Sequence, residues 1–173
     1  MKIINKFKNK IGFTLIESLV AISILSIAIT GPLVISTQGI ASSLYARDQI
    51  IAFYLAQDAI EYVINIQTTN VVNVDNTSGW LVGLEKCLEQ YCNIDSINST
   101  ISYTNAYLSY NSSTGIYSYS ADPASPFKRK IRIHQLDPMK PDEVSIEVVV
   151  TWLSGTYPRS FTIKENVYNT WGA

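Results

Sequence analysis

Apolar residues are distributed along this chain in three different patterns. After Lys10 the only charged side chain before Arg47 is Glu17, and residues 13–35 are mostly Leu, Ile, Val, Ala and Phe with scattered Ser and Thr. At roughly 1.5 Å per residue, a helix of this length crosses the ~30 Å hydrocarbon core of a bilayer. The segment is apolar on every face, which a small soluble domain rarely hides as a core helix. A cleaved secretory signal is the other alternative, but its apolar region usually spans only about 7–15 residues before a small-residue cleavage site. This run is longer and carries Glu17 near its start.

A second pattern follows. Ile40, Leu44, Ile51, Leu55, Tyr62 and Ile66 recur at helical spacing, with Arg47, Asp48, Gln57, Asp58 and Glu61 mostly off that face, and the pattern fades at residues 67–70. It predicts that the helix continues as an amphipathic segment over 36–68. Thr30-Gly31-Pro32 interrupts the apolar part, and a proline there removes one backbone bond and predicts a kink near Ile29.

The third pattern alternates. Val144, Ile146, Val148, Val150 and Trp152 share one strand face, Phe161, Ile163 and Val167 another, and Gly155 between the runs suits a hairpin turn. An earlier run at 127–136 alternates around Ile131 and Ile133, giving a three-stranded antiparallel meander with one face on the helix and one in solvent. Residues 71–126 are rich in Asn, Ser, Thr and Tyr and read as loops, with a minor hairpin around 108–110 and 116–119. The expected fold class is α+β: a short N-terminal leader over 1–12, an apolar helix over 13–35, its continuation over 36–68, and a head of loops and antiparallel sheet over 69–173.

Charge changes the picture. The 173 residues carry 13 Lys plus Arg against 14 Asp plus Glu, a net −1. Four of those cations, Lys2, Lys6, Lys8 and Lys10, precede the apolar run, leaving 9 positive and 14 negative side chains, or −5, in the remainder. The positive-inside rule then puts the N-terminus in the cytoplasm and everything after about residue 36 outside a single-pass membrane. The acidic remainder argues against a dedicated nucleic-acid binder. A hydrophobic share of 47% with only 16% charged residues excludes a disordered chain.

Candidate chemistry is sparse. Cys87 and Cys92 are the only cysteines; outside the membrane an even count favours a disulfide, with reduced thiols or a metal site as alternatives. In a strand, Lys128, Lys130, Arg132 and His134 share a face opposite Ile131 and Ile133. That stripe reads as a solvated face paired with acids such as Glu147, or as a charged strand edge; a DNA-binding surface is the competing reading. Asp137, Asp142 and Glu143 suit a plain loop between Pro138 and Pro141 better than a calcium site. With one histidine, no Gly-x-Ser-x-Gly and no phosphate-cradling loop, the chain offers no catalytic constellation and no cofactor or metal site. It is not expected to be an enzyme.

Lys10-Ile11-Gly12-Phe13-Thr14-Leu15-Ile16-Glu17 resembles the type IV prepilin signal: a basic leader ending in Gly, then Phe-Thr-Leu-Ile-Glu and a long apolar helix. The resemblance implies a type IV pilin-like fold. It further implies that a prepilin peptidase cuts Gly12–Phe13 and N-methylates Phe13. Glu17 at membrane depth is costly, roughly 2.5–3.5 kcal/mol at a helix centre and less near an interface. The resemblance implies that its carboxylate meets the N-terminal amine of a neighbouring subunit and sets the filament stagger. It also implies local melting of the helix near Gly31 and Pro32. The run at 52–61 is similar to the extracellular helix of PilV-type minor pilins. The implied partners are the prepilin peptidase, other pilin subunits, pilus assembly machinery and the membrane. The implied role is a structural subunit of a surface pilus, of the minor class, with a periplasmic pseudopilin of type II secretion, or an anchored recognition or DNA-uptake module, as alternatives.

Overall fold

The computed structural model describes residues 12–73, 79–120 and 122–169. The four leader lysines lie outside the described residues. The chain divides into two units, Met1–Leu44 and Tyr45–Ala173. The order of elements is α1 (Leu15–Asn73), a short 3-10 turn (Glu85–Cys87), β1 (Asn93–Asp95), β2 (Thr100–Ser102), β3 (Ser109–Asn111), β4 (Ile116–Ser118), β5 (Lys128–Gln135), β6 (Glu143–Ser154) and β7 (Tyr157–Tyr168). One long apolar N-terminal helix followed by antiparallel sheets is an α+β layout consistent with a type IV pilin-like fold.

In the first unit α1 has no core to join. Its large side chains, from Leu15 to Leu44, are exposed throughout. The helix is long and apolar enough to cross a membrane by length and composition, and none of its most apolar window is buried. Helix α1 runs on through Gly31 and Pro32. The hydroxyls of Ser23, Ser26 and Thr30 each donate to the carbonyl four residues earlier, so these polar groups are satisfied within the helix.

The second unit has a core. Strands β5, β6 and β7 form an antiparallel meander in the order β5-β6-β7, with Ile131 opposite Val148 and Val150 opposite Phe161. Gly155 opens the two-residue turn between β6 and β7 at φ +63°, a conformation that glycine adopts without Cβ strain. Val144, Ile146, Val148, Val150 and Trp152 point inward and are buried with Ile131 and Ile133.

The helix face that meets this core holds Leu55, Ile51, Tyr62 and Ile66 of the expected stripe but not its start. Ile40 and Leu44 are 62% and 47% exposed, whereas Ala52, Ala56 and Ala59 are completely buried with Leu55, Ile60 and Val63. Alanines thus share the packing face with Leu55, Ile60 and Val63. Asp48, expected off the face, is buried and accepts two bonds from the guanidinium of Arg47. The helix also outlasts its apolar pattern: Asn70 donates to the carbonyls of Trp80 at 3.2 Å and Val82 at 2.7 Å, fixing the last turns through polar contacts.

The middle region contains the expected hairpin, β3 paired with β4. It also contains an unexpected one, in which Ile94 of β1 faces Ile101 of β2. Asp95 holds the turn between them, accepting from the backbone N–H of Ile97 and Asn98, from Asn98 Nδ2 and from the N–H of Tyr119. Burial pushes its carboxyl up, but these four donors outweigh burial and hold it below the usual carboxylate range.

Candidate functional site

The start of α1 is built from a short run of residues with complementary roles. Gly12, Phe13 and Thr14 precede the first helical turn and are exposed. Thr14 is the cap: its hydroxyl accepts the backbone N–H of Glu17 at 3.3 Å and its carbonyl accepts the N–H of Ser18 at 3.1 Å. Thr14-Leu15-Ile16-Glu17 thus has the Thr-x-x-Glu form of a capping box, and an acidic side chain in the first turn complements the helix dipole. The cap role of Thr14 was legible in that spacing, although sequence reasoning weighed only the flanking Gly12, Phe13 and Glu17. Phe13, Glu17, Val20 and Ile24 line one shallow hollow on the same side of the helix. Gly12 and Phe13, just ahead of this capped helix, are exposed and lie outside any regular element.

The prokaryotic N-terminal methylation motif, compared as a family model, matches residues 7–31. This chain carries the type IV prepilin signature. The match spans residues on both sides of Gly12 and Phe13, the cap and the apolar helix as far as Gly31. Neither the curated proteins nor the solved structures give a significant match. The signature supports a type IV pilin- or pseudopilin-like protein, and with the apolar helix behind it fits a single-pass membrane anchor. In general it implies processing by a prepilin peptidase and assembly with other pilins, in a family that is structural rather than enzymatic.

The remaining candidate residues lie in the second unit. A disulfide joins Cys87 to Cys92. The ring it closes lies along the free edge of β5: the N–H of Glu89 donates to the Ile133 carbonyl, and Cys92 and Ile131 exchange both backbone bonds. Glu89, at φ 59°, also accepts from the Gln135 N–H and pairs with His134, contacts that draw its carboxyl below the usual range.

Lys128, Lys130 and Arg132 share the outer face of β5. Arg132 donates to Glu147 at 2.6 Å, and this bond holds the Glu147 carboxyl low. Lys128 stands 4.3 Å from the centre of the Tyr107 ring and Lys130 4.9 Å from that of Tyr91. These tyrosine partners were missed, because they come from loops without periodicity. Arg129 was missed too. It sits on the inner face, 2% exposed, donating to the Leu55 carbonyl, to Asp58 and to the Ile94 carbonyl. One guanidinium thereby ties α1, β1 and β5 together. Asp137 accepts the Met139 N–H and Asp142 bonds Asn169, so both serve the β5–β6 loop and its neighbour.

Proposed function

We propose that the chain is a structural subunit of a type IV pilus, of the minor class, cut between Gly12 and Phe13, N-methylated on Phe13, and assembled through α1. The observation that carries this reading is the prepilin signature at 7–31, which runs into a helix whose apolar side chains from Leu15 to Leu44 find no partner within the described residues. Such a surface needs lipid before assembly and other helices afterwards. In this reading residues 1–12 are the leader, 13–35 the membrane and filament segment, and 36–68 its extracytoplasmic continuation, with 69–173 as the exposed head. Glu17 pairs with the amine of a neighbouring subunit, the helix gives way locally at Gly31 and Pro32, and the acidic mature chain does not act on nucleic acid.

The intact mass of the mature protein is the direct test. Loss of residues 1–12 with the gain of one methyl group is the expected result, and an unprocessed N-terminus would overturn the reading. The Glu17→Ala chain should be cleaved normally yet be missing from sheared surface filaments. A chain absent from filaments even as wild type, whose deletion stops protein secretion, would instead be a pseudopilin.

A further inference from the structure

The outer face of β5 forms the floor of a hollow of about 250 Å³, with Tyr91, Asn93, Tyr103, Asn105, Lys128 and Lys130 among its lining. Its walls are held from both sides. Tyr91 belongs to the disulfide ring, pinned to β5 through Cys92 and Ile131, and Gln90 of the same ring donates to the Tyr103 hydroxyl at 3.0 Å. Asn93, buried at the floor, spends its amide hydrogens on Tyr119 and the Arg129 carbonyl. The hollow is therefore bounded by fixed groups rather than by free side chains.

Its charge is unbalanced. Arg132 on the same face is neutralised by Glu147, but among the described residues neither Lys128 nor Lys130 has a carboxylate partner. Each rests on a tyrosine ring instead, a contact worth about 0.5–1 kcal/mol at an exposed site. A hydrogen bond to a charged partner contributes roughly 1.5–3 kcal/mol, so an incoming anion would be preferred. Lys128 and Lys130 are two residues apart on one strand face, with backbones about 7 Å apart, and their flexible stems let both ammonium groups swing off the rings onto one small anion.

Tyr103, an exposed ring in the same lining, favours a ligand with a flat apolar side as well as a negative charge. The volume lies just below the usual range of about 300–1,000 Å³ for ligand pockets, which suits one ring rather than an extended chain. A single strand of nucleic acid would need a longer track of free cations and several stacking rings. The structure offers two free cations, in a chain whose residues after Gly12 total 9 positive against 14 negative side chains.

We propose that this hollow binds an acidic sugar, a hexuronate, with its carboxylate on Lys128 and Lys130 and its C–H face against the tyrosine wall. Thr104 and Asn105 at the rim supply hydroxyl and amide groups for the sugar hydroxyls. The site is independent of the assembly role proposed above, since it uses no residue of α1.

The test is titration of the full mature chain in neutral detergent micelles, read by saturation-transfer NMR and calorimetry, with glucuronate, glucose, inorganic phosphate and a ten-nucleotide oligothymidylate as probes. Glucuronate should bind saturably and glucose at least about tenfold more weakly, the loss expected when a charged hydrogen bond is missing. The double variant Lys128→Ala/Lys130→Ala should lose about tenfold or more in affinity for glucuronate, while Lys128→Arg/Lys130→Arg keeps most of it. Tyr103→Ala, with an unchanged circular dichroism spectrum, should weaken binding as well. Absence of saturable glucuronate binding overturns the proposal. So does phosphate binding as tightly as glucuronate, which would mean a plain anion site. Tighter binding of the oligothymidylate through the same lysines would mean a nucleic-acid surface and would overturn it too.

Discussion

The two stretches of α1 on either side of Leu44 treat their apolar residues in opposite ways. Before Leu44 the helix presents Leu, Ile and Val outward on every side. After Tyr45 it buries Ala52, Ala56 and Ala59 while leaving Phe53 and Tyr54 exposed. The stretch that packs inside its own unit buries a face on which alanines stand among Leu55, Ile60 and Val63. A helix whose partners are outside the unit is selected for total apolar area. Hydropathy alone ranks the first stretch as the more buried, and the structure has it the other way round.

The comparison can be broken most directly at Arg129. Removing a buried cation that holds three separate segments should cost about 1–3 kcal/mol for each buried carbonyl left unpaired, so Arg129→Met should unfold the second unit at much lower urea, followed by tryptophan fluorescence. In detergent the helical signal of the first stretch should persist; its loss in the same transition would show that the two regions are not independent. A smaller effect comes from enlarging an alanine. Ala56→Leu overfills a closed contact and should destabilise by about 1–3 kcal/mol, whereas Ala28→Leu, on the exposed stretch, should shift stability by no more than about 0.5 kcal/mol. Equal costs at the two sites would erase the distinction.

Reduction of the Cys87–Cys92 bond sharpens the account of the second unit alone. Opening a ring of six residues should remove about 2 kcal/mol by chain entropy, measured as a lower urea midpoint in dithiothreitol, with no change in the first stretch. The smallest effect is that of acid. Asp95 is held low by its four donors against the opposing push of burial, and Glu147 by the Arg132 bond. Both carboxyls titrate lower in the folded chain than in the unfolded one. The stability they contribute is full above the unfolded value of about 4 and is lost as pH falls below it. Asp95→Asn should flatten the urea midpoint between pH 5 and pH 3 relative to wild type (approximate bounds set by those unfolded values).

Much of this was legible in the sequence because it rests on long, regular or chemically distinctive runs. The apolar helix, the three alternating strands β5, β6 and β7, and the Gly-Phe-Thr-Leu-Ile-Glu junction are all of that kind. The alanine face was not, because alanine adds little to a hydrophobic pattern, although Ala52, Ala56 and Ala59 are fully buried. Arg129 was hidden for a different reason. A guanidinium on an inward strand position contradicts alternation unless three acceptors from distant segments converge on it, and no local window contains Leu55, Asp58 and Ile94 together. Strands β1 and β2 are three residues each, too short for period-two alternation to register. The tyrosine walls around Lys128 and Lys130 come from loops whose positions depend on the disulfide ring and on Gln90.

That ring also bears on the order in which the head is made. Its two cysteines are separated by five residues, whereas Ile131 and Ile133, which it bonds, come roughly forty residues later. Short closures cost little chain entropy and form early. Where the ring is oxidised before β5 docks, it presents the N–H of Glu89 and both backbone groups of Cys92 as a fixed docking line, and β5 then meets a template rather than having to organise one. The cysteine pair thus works as a jig for the edge of the sheet as well as a brace for the finished one.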